Sequence, residues 1–137
     1  TEDGADVQDG SDPTDVRTGT GYFASARLNR QQARDSALEL LQKAAADEKA
    51  DQAMVDEANA SIQAMAACTM SEAQVENLVT AKGYGDCVCF IGDGSVSVVV
   101  SATEGGLSET DIAKIMEIVQ EETGLSAQRI KIIEAEP

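Results

Sequence analysis

The chain has 137 residues, enough for one domain with a single core, and its 25 acidic against 10 basic side chains give a formal charge of −15. Such a surface repels nucleic acid and anionic lipid, because binding a polyanion needs clustered Lys and Arg. The absence of histidine removes Ser-His-Asp and Cys-His catalysis and imidazole-bound metals, and a total of two tyrosines, two phenylalanines and no tryptophan is too few for the stacking platforms of sugar or base binders.

Residues 1–21, TEDGADVQDGSDPTDVRTGTG, carry six acids, one arginine, four glycines and a proline, with Val7 and Val16 as the only larger apolar side chains. That composition cannot bury enough apolar area to offset its ordering entropy, and it predicts a disordered acidic tether. Residues 22–69 form a helical region. The run from Tyr22 to Ala50 is built of Ala, Leu, Gln, Arg and Glu without Gly or Pro, and Ala33, Ala37, Leu41 and Ala44 recur at helical spacing. The basic cluster Arg27, Arg30 and Arg34 reads as a solvated helix face. Met54, Ala58, Ile62 and Met65 make a second stripe. This predicts a helical hairpin turning near residues 47–51, with one long bent helix as the alternative.

Residues 70–137 carry clearer punctuation. Ser71 with Gln74 three residues on has the form of a capping box, followed by Val75, Leu78 and Val79 as a buried face and Gly83 as the C-terminal stop. The period then switches to two: CVCFI is a strand, GDGS a hairpin turn and VSVVVSA a second strand. Ser108 caps a helix with Ile112, Ile115, Met116 and Val119 on one face, Gly124 ends it, and RIKIIEA is a last strand. The order is α-β-β-α-β, an α+β domain with two helices on one face of a three-stranded sheet.

No glycine-rich loop here suits a phosphate. Gly92-Asp93-Gly94-Ser95 joins a strand to a strand, whereas a phosphate cradle joins a strand to a helix N-terminus. Cys68, Cys87 and Cys89 are too few for a disulfide scaffold, and a lone C-x-C lacks the second pair of a zinc site. Cys87 and Cys89 share one side of their strand, and the larger Val88 and Phe90 are expected to face the helices. Val96, Val98, Val100, Ile130 and Ile132 would face the core. The open face would hold Cys87, Cys89, Ile91, Val99 and Ile133 among Ser97, Ser101, Arg129 and Lys131. So apolar a face suggests docking, with the strand edges as a second mode; the other reading is that the first helices fold over it. Carboxylates abound, but no pair is singled out as an acid/base couple.

One family carries a matching series of positions. Phe23, Arg27, Leu28, Ala33 and Arg34 resemble the F-x-x-x-R-L and later A-R that open the extracytoplasmic domain of stage III sporulation protein AH. Gln74, Glu76, Leu78, Gly83, Tyr84, Asp86, Gly92 and Asp93 resemble its central helix, G-Y-x-D, strand and G-D turn. The resemblance covers residues 22–137. It implies a ring-building-motif fold, a single-pass anchor in the mother-cell membrane, and a domain lying between the mother-cell and forespore membranes. There it would dock with stage II sporulation protein Q, in a channel-like bridge needed for engulfment, as part of a possible homo-oligomeric ring. The resulting expectation is a non-enzymatic assembly domain with no cofactor. Phe23, Arg27, Arg34, Cys87, Cys89, Ile91, Val99 and Ile133 are its candidate partner-binding residues. The alternative is a small ligand- or metal-binding domain using Cys87 and Cys89. A nucleic-acid-binding KH domain is disfavoured, since neither a G-x-x-G loop between helices nor a basic surface is present.

Overall fold

The computed structural model describes residues 19–101 and 105–135. The expected acidic tether lies outside the described residues up to residue 18; residues 19–21 already belong to the first helix. In chain order the elements are α1 (Gly19–Ala45), α2 (Gln52–Ala81), β1 (Cys87–Gly92), β2 (Ser95–Ser101), α3 (Glu109–Thr123), a 3-10 turn (Ala127–Arg129) and β3 (Ile130–Ala135). The fold is α+β.

The two first helices form a hairpin. Asp51 caps α2 by accepting a 2.9 Å hydrogen bond from the Met54 N–H, which stops α1 and α2 from merging into one rod. The expected helix start at Ser71 is absent. From Gln52 to Ala81 no Gly or Pro interrupts the helix, and Thr69 bonds its hydroxyl back to the Met65 carbonyl at 3.0 Å, so the chain stays helical through Ser71. A capping sequence acts only where the backbone before it leaves the helix; here good helix formers on both sides win. At about 1.5 Å per residue, helices of 27 and 30 residues extend roughly 20 Å beyond strands of six or seven residues. The far part of the hairpin therefore stands clear of the sheet, with Leu40 and Met54 exposed.

The sheet has the order β1-β2-β3, antiparallel between β1 and β2 and parallel between β2 and β3. Asp93 and Gly94 both take positive φ, +54° and +73°, the two-residue hairpin geometry that an Asp-Gly pair favours. A two-residue turn pairs odd-numbered residues of β1 with even-numbered residues of β2: Cys87 with Val100, Cys89 with Val98 and Ile91 with Val96. This register overturns one expectation. Cys87, Cys89 and Ile91 share a face with the valines that pack under the helices, while Val88 and Phe90 face the other way. Register decides the face of every side chain in a strand, and side-chain bulk does not.

Two cores result. The larger holds Cys87, Cys89, Val96, Val98, Val100 and Ile130 beneath Val75 and Val79 of α2 and Ile115, Ile118 and Val119 of α3. The smaller, on the opposite face, packs Phe23 and Ala26 of α1 on Val88 and Val99, with Tyr22, Phe90 and Ala135 around them. The first turns of α1 thus fold over part of the face that was a candidate open surface. α3 carries its expected capping box, with the Ser108 hydroxyl accepting from the Asp111 N–H at 3.1 Å and Asp111 accepting from the Ser108 N–H at 2.9 Å. Gly85 owes its place to close packing: a side chain there would meet the Ser101 hydroxyl at 3.3 Å.

Candidate functional site

β1 is an edge strand, and an edge strand presents unpaired N–H and C=O groups along its outer side. Here they are all taken by side chains, in three rungs. At the first, the Asp86 carboxylate accepts from the Cys87 N–H at 2.8 Å, Arg27 donates to the Cys87 carbonyl at 2.8 Å, and Arg27 is ion-paired with Asp86. At the second, Glu76 accepts from the Cys89 N–H at 2.8 Å, Arg30 donates to the Cys89 carbonyl, and the two side chains pair at 2.7 Å. At the third, Glu72 accepts from the Ile91 N–H at 2.7 Å and grips Arg34 through both oxygens, at 2.6 and 2.7 Å, while Arg34 reaches the Ile91 carbonyl at 3.4 Å. Each rung joins α1, an acid on or just after α2, and every second residue of β1.

The spacing explains why this works. Arginines at i, i+3 and i+7 lie on one helix face, roughly 4.5 and 6 Å apart along the axis, and alternate strand residues are about 6.7 Å apart. Flexible arginine stems take up the difference. Glu72 and Glu76, four apart, line the facing side of α2. Glu72 is wholly buried, and its bond to Arg34 raises the pKa of that guanidinium. Arg30 also lies 6.0 Å over the Phe90 ring.

The predicted site residues therefore divide. Arg27 and Arg34, with Arg30, are not a solvated face but a latch holding α1 to β1. Phe23 is buried in the smaller core and Val99 nearly so. Cys87 and Cys89 are fully enclosed, and Ile91 packs beside them. Burial pushes the Cys87 thiol up to about 12, and raises Cys89 likewise, so neither thiol is poised as a thiolate. Among the described residues no group of three or more Cys, Asp or Glu side chains is placed to hold a metal ion. Ile133 alone of the eight is exposed, beside Lys131 on β3. Sequence reasoning did not join Glu72, Glu76 or Asp86 to β1. Their signal was the matched spacing of three arginines and two glutamates on neighbouring helices.

The four positions Arg27, Arg34, Glu76 and Asp86, all part of the resemblance noted in the sequence, meet along this one edge. A family model, described as SpoIIIAH-like protein, matches residues 1–132. The chain belongs to the SpoIIIAH-like family. A solved chain from "Structure of the SpoIIQ-SpoIIIAH pore forming complex" superposes with a TM-score of 0.76 at 20% identity, over 84% of this chain and 97% of that one. At that identity the likeness is one of fold, and it takes in the helical hairpin as well as the sheet. Comparison with curated proteins finds no match. Among the described residues no helix is long and apolar enough to cross a membrane.

Proposed function

We propose that this chain is a non-enzymatic assembly domain of a sporulation complex, docking through its folded body with an extracytoplasmic partner of the SpoIIQ type. The observation that carries this reading is the SpoIIIAH-like family match over residues 1–132, joined to a fold shared with a chain of the SpoIIQ-SpoIIIAH complex. The molecule's construction supports it. The acids and arginines that are most buried are spent on holding α1 to the sheet. The cysteines that could have made a ligand site lie inside the core. What remains on the surface is a projecting hairpin and one strand edge. In this reading the domain is held by a membrane anchor on the mother-cell side, lies between the two membranes, and contributes to a ring or channel there.

Light scattering on the eluting species tests it. The chain mixed with the extracytoplasmic domain of a SpoIIQ-type protein is expected to elute as a complex. Separate elution at high micromolar concentration, with neither protein self-associating, would remove the basis of the reading.

A further inference from the structure

The turn between α1 and α2 is made of residues that favour helix. From Tyr22 to Lys82 the chain has no Gly or Pro, and the turn contains Ala46, Glu48, Lys49 and Ala50, all good helix formers. Two aspartates hold it in place. Asp47 accepts from the Lys49 N–H through its carboxylate at 2.9 Å and from the Ala50 N–H through its carbonyl at 3.2 Å, and the Asp51 carboxylate caps α2. A continuous helix over residues 19–81 would gain the helical hydrogen bonds that the turn forgoes. Short hinges of this kind favour the exchange of an element between copies.

The way α1 is held suits such an exchange. Its contacts lie mainly on α2 and β1: the three rungs, and Phe23 and Ala26 over Val88 and Val99. The larger core takes no residue from α1, so the body keeps its own core whichever copy supplies that helix. The rungs match Arg30 with Glu76 and Arg34 with Glu72, the register of an antiparallel hairpin. Two opened chains pair antiparallel in that same register, and each presents its arginines to the carboxylates of the other. Every rung of the closed monomer then recurs between copies. A helix over residues 19–81 is roughly 95 Å long at about 1.5 Å per residue, so the two sheets sit at opposite ends, and the charge of −15 on each copy is spread over that length.

We propose that a second copy of this chain takes α1 in exchange: the hairpin opens at residues 46–51 into one helix, and α1 of each copy seats on β1 and α2 of the other. The partner on this surface is the same chain, and the copy that lends α1 seals the β1 edge of its neighbour. The exchange is independent of the docking with a SpoIIQ-type domain proposed above.

Refolding the whole chain from urea at low and at high micromolar concentration, with light scattering on the eluting species, tests it. A dimer is expected whose share grows with the concentration during refolding. Asp51→Ala removes the cap of the closed form and improves the helix of the open one; at about fivefold per hinge, with two hinges per dimer, it is expected to raise the dimer-to-monomer ratio at least about tenfold. Glu48→Pro is expected to keep the chain monomeric, because Pro suits the second position of the Asp47–Ala50 turn and blocks a continuous helix. Co-refolding of Arg34→Ala chains with Glu72→Ala chains separates exchange from simple contact. Each variant alone has a stranded charge at the third rung. An exchanged pair rebuilds one intact rung and leaves the other with both charges gone, and it is expected to melt above either variant alone. The exchange is overturned by a chain that stays monomeric at every concentration even with Asp51→Ala, by a Glu48→Pro chain that dimerises like the parent, or by a mixed pair no more stable than its parts.

Discussion

Glu72 is the side chain on which the third rung turns. It is fully enclosed, it accepts from the Ile91 N–H and from both terminal nitrogens of Arg34, and Arg30 lies 3.5 Å away. Truncating it strands a guanidinium and a backbone donor where water cannot reach them freely. Glu72→Ala is therefore expected to cost about 3–5 kcal/mol, a large share of the 5–15 typical of a domain. Urea denaturation checks this, and a loss below about 1 kcal/mol would mean that the rung contributes little. Tyr84 and Asp111 make a smaller linkage of the same kind between the loop after α2 and the start of α3. The phenol donates to the carboxylate at 2.6 Å; burial, aided by this bond, pushes Tyr84 up to about 12, and the same bond holds Asp111 below the usual carboxylate range.

The contrast between two serines shows which elements could be read from sequence. Ser71 and Ser108 stand in the same local pattern, a hydroxyl residue followed three later by a polar acceptor. At Ser108 the backbone before α3 is extended and the cap forms; at Ser71 the helix simply runs on. Ser108→Ala is expected to cost about 1 kcal/mol, and Ser71→Ala to be neutral within about 0.5 kcal/mol or slightly stabilising, as thermal unfolding of the two variants would show. The reverse order would restore a helix boundary at Ser71. α3, the Asp-Gly hairpin and the alternating valines of β2 were legible because local chemistry alone specifies them. The placement of Cys87 and Cys89 was legible too, through the parity that a two-residue turn imposes, yet judging faces by bulk hid it. The rungs were not legible as a site, since they join α1 to residues nearly sixty positions away. Spacing on each helix can suggest such a pairing, but only the tertiary fold brings the partners together.

At the scale of the whole molecule, burial sets the response to alkali. Cys87, Cys89 and Tyr84 all sit in or beside the larger core, and burial raises each of their pKa values above the unfolded one. Each therefore holds its proton more tightly when folded. That stabilisation is complete below the unfolded values, about 8.5 for Cys and about 10 for Tyr, and is lost as pH climbs toward the folded values of about 12 for Cys87 and Tyr84. The melting temperature is expected to fall progressively above about pH 9, and the Cys87→Ala, Cys89→Ala double variant to show a shallower fall from its own lower starting point. Calorimetry between pH 8 and 10.5 decides it; equal slopes would place the alkaline sensitivity elsewhere.

The ladder also has a consequence in time. Its two halves close loops of very different length. Glu76 and Glu72 reach β1 across 13 and 19 residues, whereas the arginines reach it across 57 to 60. Short loops close at less entropic cost, so during folding the glutamates can seat the N–H groups of β1 while its carbonyls still wait for α1. The larger core holds no residue of α1, so release of α1 would carry Phe23 off Val88 and Val99 without opening it. The backbone edge that the finished fold seals most thoroughly is thus expected to be completed last.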